Sequence, residues 1–170
     1  PVHIYATPML DNGTVINGKL VEKAHTFRTA CTIATQIIAQ VASGQFGGQT
    51  ITLSHLAPFV RISKEKFIRD TRNEWNKMGF DYTEEQLMEA VRVKLEEEVR
   101  GGIQTFQYQI NTLQTSNGQA PFLSVFMYIN EYPEYEEETV MLIKEMLQQR
   151  IQGMKNEVGA WITPAFPKLL

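Results

Sequence analysis

The sequence predicts a single α/β unit in which long helices dominate. Apolar residues recur at steps of three and four over residues 27–43 and again over residues 87–113, which is the periodicity of one helix face. Residues 2–6 alternate in polarity, and residues 122–129 are apolar on both faces; both patterns favour strands. The 170 residues show no internal repeat, and they suffice for one domain with a substantial core.

Two long helices are indicated most clearly. The first, over residues 27–43, carries alanines that would let another helix approach closely. The second begins at a capping box formed by Thr83 and Gln86. Gly101 and Gly102 interrupt it, and an interior glycine costs roughly 1 kcal/mol relative to alanine. Relief of packing explains this pair better than a kink or a functional role.

Other segments give weaker patterns. Residues 51–59 are apolar but include a histidine and a proline, so we expect an irregular turn there, with Ser63 capping the following helix. Residues 131–138 hold five glutamates, which suit a helix start and which a solvated acidic face explains. Residues 14–16, between two turn dipeptides, predict a short strand, and residues 160–163 predict the final strand.

Composition excludes several functional classes. The net charge of -3 and the pI near 5.7 argue against a nucleic-acid binder, which would carry a basic patch. No run of about 18 apolar residues exists, so no membrane span is expected. The only cysteine, Cys31, can form neither an internal disulfide nor a thiolate metal cluster. We therefore expect a cytoplasmic, reducing setting.

Candidate chemical groups are few. Cys31 lies in the middle of a predicted helix on its apolar side, where a free cysteine usually packs as a small hydrophobe. His3, His25 and His55 show no ligand spacing to one another or to a carboxylate, so no metal site is predicted. Two glycine-containing loops, residues 44–49 and 117–119, could bring backbone N–H groups close to an anion. Neither matches a phosphate loop or a dinucleotide-binding fingerprint. Tight turns explain both loops better.

Five stretches, in their order and spacing, carry a resemblance to a known family. They are residues 39–50 (AQVASGQFGGQT), 53–60 (LSHLAPFV), 109–113 (QINTL), 116–122 (SNGQAPF) and 162–169 (ITPAFPKL). Together they resemble the middle of the large subunit of anaerobic (class III, glycyl-radical) ribonucleoside-triphosphate reductases. The likeness covers essentially the whole chain, and five stretches in register are far more specific than any one alone.

The resemblance implies a fold and a reaction. The chain would be roughly one half of a ten-stranded α/β barrel. The full-length family reduces ribonucleoside triphosphates to deoxyribonucleotides by a thiyl radical, which a glycyl radical generates. Zinc and formate, the latter as the reductant, are implied for the full-length protein, as is a radical-SAM activase. A homodimer with a deoxynucleoside triphosphate effector at its interface is also implied.

The resemblance also implies which residues would contact nucleotides. Gly47, Gly48, Asn117, Gly118 and Gln119 would bind substrate or effector. The first long helix would pack toward the dimer partner.

The chain departs from the family at the catalytic cysteine. Pro1 and Val2 occupy the place where the family has that residue, and Cys31 lies too far along the chain to replace it. We therefore expect residues 1–170 to form one partial barrel domain, truncated at both ends, with no catalytic residue, metal or cofactor of its own and no activity alone. The alternatives are a non-catalytic nucleotide-binding module and a helical dimerisation module.

Overall fold

The computed structural model describes residues 2–44, 47–113, 118 and 120–170. Long helices and a short parallel sheet make up the fold, which confirms the α/β class and the dominance of helices. In chain order the elements are β1 (Val2–Ile4), α1 (Ala6–Asn12), β2 (Thr14–Ile16), β3 (Lys19–Val21), α2 (Phe27–Gly44), β4 (Gln49–Thr52), a 3₁₀ turn (Leu53–Leu56), α3 (Ala57–Met78), α4 (Glu84–Thr112), β5 (Leu123–Phe126), a second 3₁₀ turn (Pro133–Tyr135), α5 (Glu136–Gln152), β6 (Met154–Lys155), β7 (Trp161–Ile162) and β8 (Lys168–Leu169).

The central sheet has four parallel strands in the order β1-β4-β5-β8. Its register aligns Ile4 with Ile51, Ile51 with Val125, and Val125 with Leu169. The first three of these side chains are buried, and Leu169 packs against them. A parallel sheet is covered by helices on its faces, so a row of β-branched and aliphatic residues across the strands is what its core requires.

Two small antiparallel ribbons lie outside this sheet. β2 pairs with β3 through a turn in which Asn17 and Gly18 both have positive φ, as a tight two-residue hairpin requires. β6 pairs with β7. The predicted strand at residues 14–16 is confirmed. The prediction that residues 160–163 form the last strand is wrong: β7 is an exposed ribbon strand, and β8 joins the central sheet after it.

The helical layer is built on the contact between α2 and α4. Ala30 and Ala34 of α2 are buried, so the small-residue face serves packing within the chain. A Cβ added to Gly102 would lie 2.4 Å from the ring of Phe27. The capping box of Thr83 and Gln86 is confirmed, as is packing relief at Gly102.

The prediction that residues 51–59 form an irregular turn is confirmed at residues 53–56 and wrong on either side of them. Residues 51–59 contain the end of β4, a 3₁₀ turn and the start of α3. β4 has neighbours on both sides, and this tertiary pairing outweighs the weak local pattern. Pro58 lies in the first turn of α3, where the missing N–H would have no partner inside the helix.

The sequence predicted that Ser63 caps the helix that follows it, and this prediction is wrong. It lies inside α3, is fully buried, and its Oγ accepts a hydrogen bond of 2.8 Å from the backbone N–H of Phe27. The carboxylate of Glu98 in α4 accepts another from the N–H of Arg28, at 3.1 Å. The amino end of α2 is therefore capped by side chains of two other helices, which local sequence cannot reveal.

The acidic segment is only partly solvated. Glu138 is 6% exposed, and its two oxygens accept hydrogen bonds from Nε and Nη2 of Arg61 at 2.7 and 2.9 Å. Arg61 also donates to the Glu134 carbonyl at 2.6 Å and lies 4.4 Å from the ring centre of Tyr135. The interpretation of residues 131–138 as a solvated acidic face is wrong for Glu138, because its buried carboxylate pairs with the guanidinium of Arg61, 77 residues away along the chain.

β5 is shorter than predicted. The strand covers Leu123–Phe126, whereas Phe122 and Ile129, at the ends of the predicted run, are 56% and 41% exposed. Across the described residues, no helix combines the length and the apolar character that crossing a membrane requires.

We expect Gly102→Ala to lower the free energy of unfolding by about 1–3 kcal/mol, the usual cost of overfilling a packed core. Gly101→Ala is the matched control, because its Cβ meets only the guanidinium of Arg28, a flexible side chain that is 55% exposed. Denaturant unfolding of both variants and the parent chain checks this. Equal effects of the two substitutions would contradict the packing role of Gly102.

We expect Arg61→Met to destabilise the chain by about 1–3 kcal/mol, because it leaves the Glu138 carboxylate buried without a counter-charge. The effect should lie toward the lower end of that range, because the side chain of Arg61 is 39% exposed and solvent partly screens its charge. Arg92→Met removes an exposed arginine that also bridges two glutamates, and it should change stability little. Denaturant melts would refute the prediction if both variants behaved alike.

Candidate functional site

One edge of the sheet gathers polar and aromatic side chains from three elements. His3 lies in β1, His55 lies in the 3₁₀ turn directly after β4, and Glu131 follows β5. Because the strands are parallel, their carboxyl ends meet at this edge, which is where open α/β sheets bind ligands. We call His3, Tyr5, His55, Glu131 and Tyr132 the carboxyl-edge cluster.

Hydrogen bonds hold the polar members of this cluster in place. Nε2 of His55 lies 3.1 Å from Oε1 of Glu131, and Oγ of Ser54 donates to Oε2 of the same carboxylate at 3.2 Å. Nδ1 of His3 lies 2.8 Å from Oγ1 of Thr50. The two imidazole rings have their centres 5.7 Å apart, edge to face.

The pKa values of His55 and Glu131 are both lowered from their ordinary values. The side chain of His55 is fully buried, and burial is the largest effect that lowers its pKa, against a smaller opposing effect from Glu131. Burial disfavours the ionised form of Glu131, but the hydrogen bond and the charge of His55, with hydrogen bonds from Thr52 and Ser54, outweigh it and lower the pKa of Glu131. Burial therefore opposes a charged imidazole at His55, whereas hydrogen bonds favour the ionised carboxylate of Glu131.

Aromatic rings enclose the two histidines. The ring centres of Tyr5 and Tyr132 lie 5.7 and 5.8 Å from that of His55, and Phe126 lies 6.3 Å from His3. Tyr5 is nevertheless 61% exposed, so the cluster has one side open to solvent. Chemically, such a site offers imidazole nitrogens and a carboxylate as bases or ligands within an aromatic wall.

The histidines show how the sequence and the structure differ. Their spacing along the chain indicated no ligand set, and Glu131 is 76 residues from His55. The parallel register, which places His3 opposite Thr50, brings them together. The sequence could have indicated this cluster only through the position of each residue at or after a strand, and the strand before His55 was not predicted.

Cys31 takes no part in this site. It is fully buried in α2, and burial is the main reason why its pKa lies well above the ordinary value. A thiol in that environment is neither a nucleophile nor a metal ligand, because both roles require the thiolate. The prediction of a small core residue is confirmed.

The glycines predicted to contact nucleotides lie at the other edge of the sheet. Gly47 and Gly48 directly precede β4, and Gly118 precedes β5. The backbone N–H of Gln49 donates to the carbonyl of Phe122 at 2.8 Å, so the two loops meet at the amino ends of these strands. Gly47 and Gly118 have φ of +111° and +74°, and a Cβ at either would meet nothing within 4 Å. Asn117 and Gln119 lie outside the described residues.

Gln49 is a neighbour of this loop that the sequence interpretation missed. The residue is 2% exposed, and its Nε2 donates to the carbonyl of Gly47 at 2.9 Å. Its Oε1 is buried and has no hydrogen-bond partner among the described residues. The side chain therefore holds the glycine loop against the start of β4.

Comparison with known proteins matches residues 2–170 to the family model of anaerobic ribonucleoside-triphosphate reductase. Three similar curated proteins carry that same name. They come from Enterobacteria phage T4 (33% identity over 165 residues), Haemophilus influenzae (33% over 165 residues) and Escherichia coli K12 (33% over 166 residues).

Each alignment covers 95% of this chain but only 25%, 21% and 21% of the respective relative. The chain thus spans about a fifth to a quarter of the length of the relatives it matches. Since the family model covers nearly every residue, the chain belongs to the anaerobic ribonucleoside-triphosphate reductase family.

Proposed function

We propose that this chain is a sheet-forming segment of an enzyme that reduces ribonucleoside triphosphates to deoxyribonucleotides by thiyl-radical chemistry. The observation that carries the proposal is the family match over residues 2–170. The four parallel strands support it further. Within the described residues, β1 and β8 each pair on one side only, so the sheet can be extended as one half of a ten-stranded barrel would require.

The radical chemistry is proposed to come from other parts of the enzyme. A thiyl radical needs a thiol directed at the ribose, and the only cysteine here is sealed in the core between α2 and α4. The segment alone should therefore form no deoxyribonucleotide. A glycyl radical, zinc, formate and a radical-SAM activase belong to the full-length protein in this proposal.

We assign nucleotide contact to the amino edge of the sheet. Gly47 and Gly118 have a backbone conformation that other L residues rarely adopt, and the space where a Cβ would lie is open. Their backbone N–H groups can therefore approach a phosphate or a ribose closely. Gly48 is part of the backbone that joins β1 to β4, because its carbonyl accepts a hydrogen bond from Val2 at 3.0 Å. The ligand is a ribonucleoside triphosphate substrate or a deoxynucleoside triphosphate effector.

The homodimer remains part of the proposal, with a changed contribution from α2. Ala30 and Ala34 are buried within the chain, so the partner would have to meet the exposed side, which carries Gln36 and Gln40.

We expect deoxynucleoside triphosphates to raise the melting temperature of the chain, because a ligand that binds only the folded state stabilises it by mass action. Gly118→Ala should weaken the binding at least tenfold by placing a methyl group over the loop. Gly18→Ala is the matched control: it has the same φ of +74° and equally open space, but lies in the hairpin of β2 and β3.

Both substitutions should cost similar stability, of the order of 1 kcal/mol, since both force alanine into left-handed backbone. Calorimetric titration with the four deoxynucleotides and the four ribonucleotides then separates strain from binding. Binding that both variants weaken equally, or an unaltered melting temperature of the parent chain with every nucleotide, would refute the nucleotide site. Deoxyribonucleotide formation by the chain alone would refute the assignment of the radical chemistry to other parts.

A further inference from the structure

The carboxyl-edge cluster has the composition and the convergence of a metal site. One nitrogen of His3, one of His55 and one carboxylate oxygen of Glu131 all lie within 4.8 Å of one another. In a tetrahedral zinc site with bonds near 2.0 Å, ligand atoms stand roughly 3.3 Å apart. One contact, between Nε2 of His55 and Oε1 of Glu131, is already 3.1 Å. Only small movements would complete the set.

Glu131 is the member that can make those movements. It lies on an irregular stretch between β5 and the second 3₁₀ turn, and its side chain is 29% exposed. The histidines are more constrained, because His3 belongs to a paired strand and the side chain of His55 is fully buried. Two rigid imidazoles with one adjustable carboxylate form a site that is largely preorganised.

Hydrogen bonds outside the cluster orient the ligands. Nδ1 of His3 lies 2.8 Å from Oγ1 of Thr50, which itself lies 3.5 Å from the carbonyl oxygen of Val2. When Thr50 donates to that carbonyl, Nδ1 of His3 donates to Thr50, and Nε2 is the nitrogen available to a metal. Ser54 likewise donates to the second oxygen of Glu131. Ligating histidines and carboxylates in proteins are typically fixed by such bonds.

His55 presents one ring nitrogen to the cluster. Its Nε2 lies 3.1 Å from Oε1 of Glu131. Its Nδ1 is buried and makes no hydrogen bond of ordinary geometry among the described residues, although a contact with the backbone of Ile4 raises the pKa of the ring. Metal binding at Nε2 requires the proton of the neutral ring to sit on Nδ1, away from the cluster.

We propose that His3, His55 and Glu131 bind one Zn²⁺ ion. Two imidazoles and a carboxylate suit zinc, whereas Mg²⁺ and Ca²⁺ prefer sites made of oxygen atoms. Three protein ligands leave a fourth tetrahedral position for water or an anion, on the solvent side where Tyr5 is exposed. The ion would join β1, the turn after β4 and the segment after β5. This inference does not depend on the proposed reductase function.

The test uses the untagged 170-residue chain, stripped with a chelator and assayed without nucleotide, whose phosphates would compete for the metal. Its only cysteine is buried, so no thiolate site interferes. Zn²⁺ titration against a chromophoric chelator should show one saturable ion per chain and a raised melting temperature. Co²⁺ should give the visible absorption of a four-coordinate nitrogen and oxygen site.

Glu131→Gln and His3→Gln should each weaken Zn²⁺ binding at least tenfold and abolish the rise in melting temperature. Both substitutions replace partly exposed residues with a polar side chain, so the chain should still fold. A substitution at the buried His55 would not meet this condition. Glu134→Gln is the matched control, an exposed glutamate of the same segment that binds Arg61 only through its backbone carbonyl.

Two results would overturn the proposal. One is a parent chain that binds no stoichiometric Zn²⁺. The other is a pair of variants, Glu131→Gln and Glu134→Gln, with equal affinity for the ion.

Discussion

The in-register parallel pairing of β1, β4 and β5 is the constraint on which the rest of the structure depends. It places Ile4, Ile51 and Val125 in one buried row across the sheet. Side chains alternate between the two faces of a strand, so a slip of one residue would turn this row away from its helices. The same register sets which residues meet at each edge. Both candidate sites are consequences of packing that is driven by aliphatic side chains.

The two edges of the sheet divide the chemistry of the chain. The amino edge carries Gly47 and Gly118, whose backbone lies open, and it is the edge to which we assign the proposed nucleotide contact. The carboxyl edge carries imidazoles, a carboxylate and aromatic rings. β4 connects the two, because Gln49 begins it and His55 follows its end.

Polar contacts between distant residues support the helical layer in addition to apolar packing. Ser63 and Glu98 satisfy the first backbone N–H groups of α2, and Arg61 neutralises Glu138. Each contact satisfies a buried polar or charged group that would otherwise be costly. The fit of Phe27 against Gly102 fixes how closely α2 and α4 approach. The helices are thus held in position by specific contacts in addition to a shared apolar face.

The sequence by itself determined the long helices, the capping box at Thr83, the core role of Cys31 and the family, because each rests on local periodicity or on matched motifs. The resemblance also grouped Gly47 with Gly118 as nucleotide contacts, and the loops that hold them meet in the fold. Only the tertiary structure decided that a central strand ends within residues 51–59, that Ser63 caps another helix, and that His3, His55 and Glu131 converge. The physical reason is distance along the chain. Parallel pairing joins residues separated by dozens of positions, and no local pattern records which of them will be neighbours.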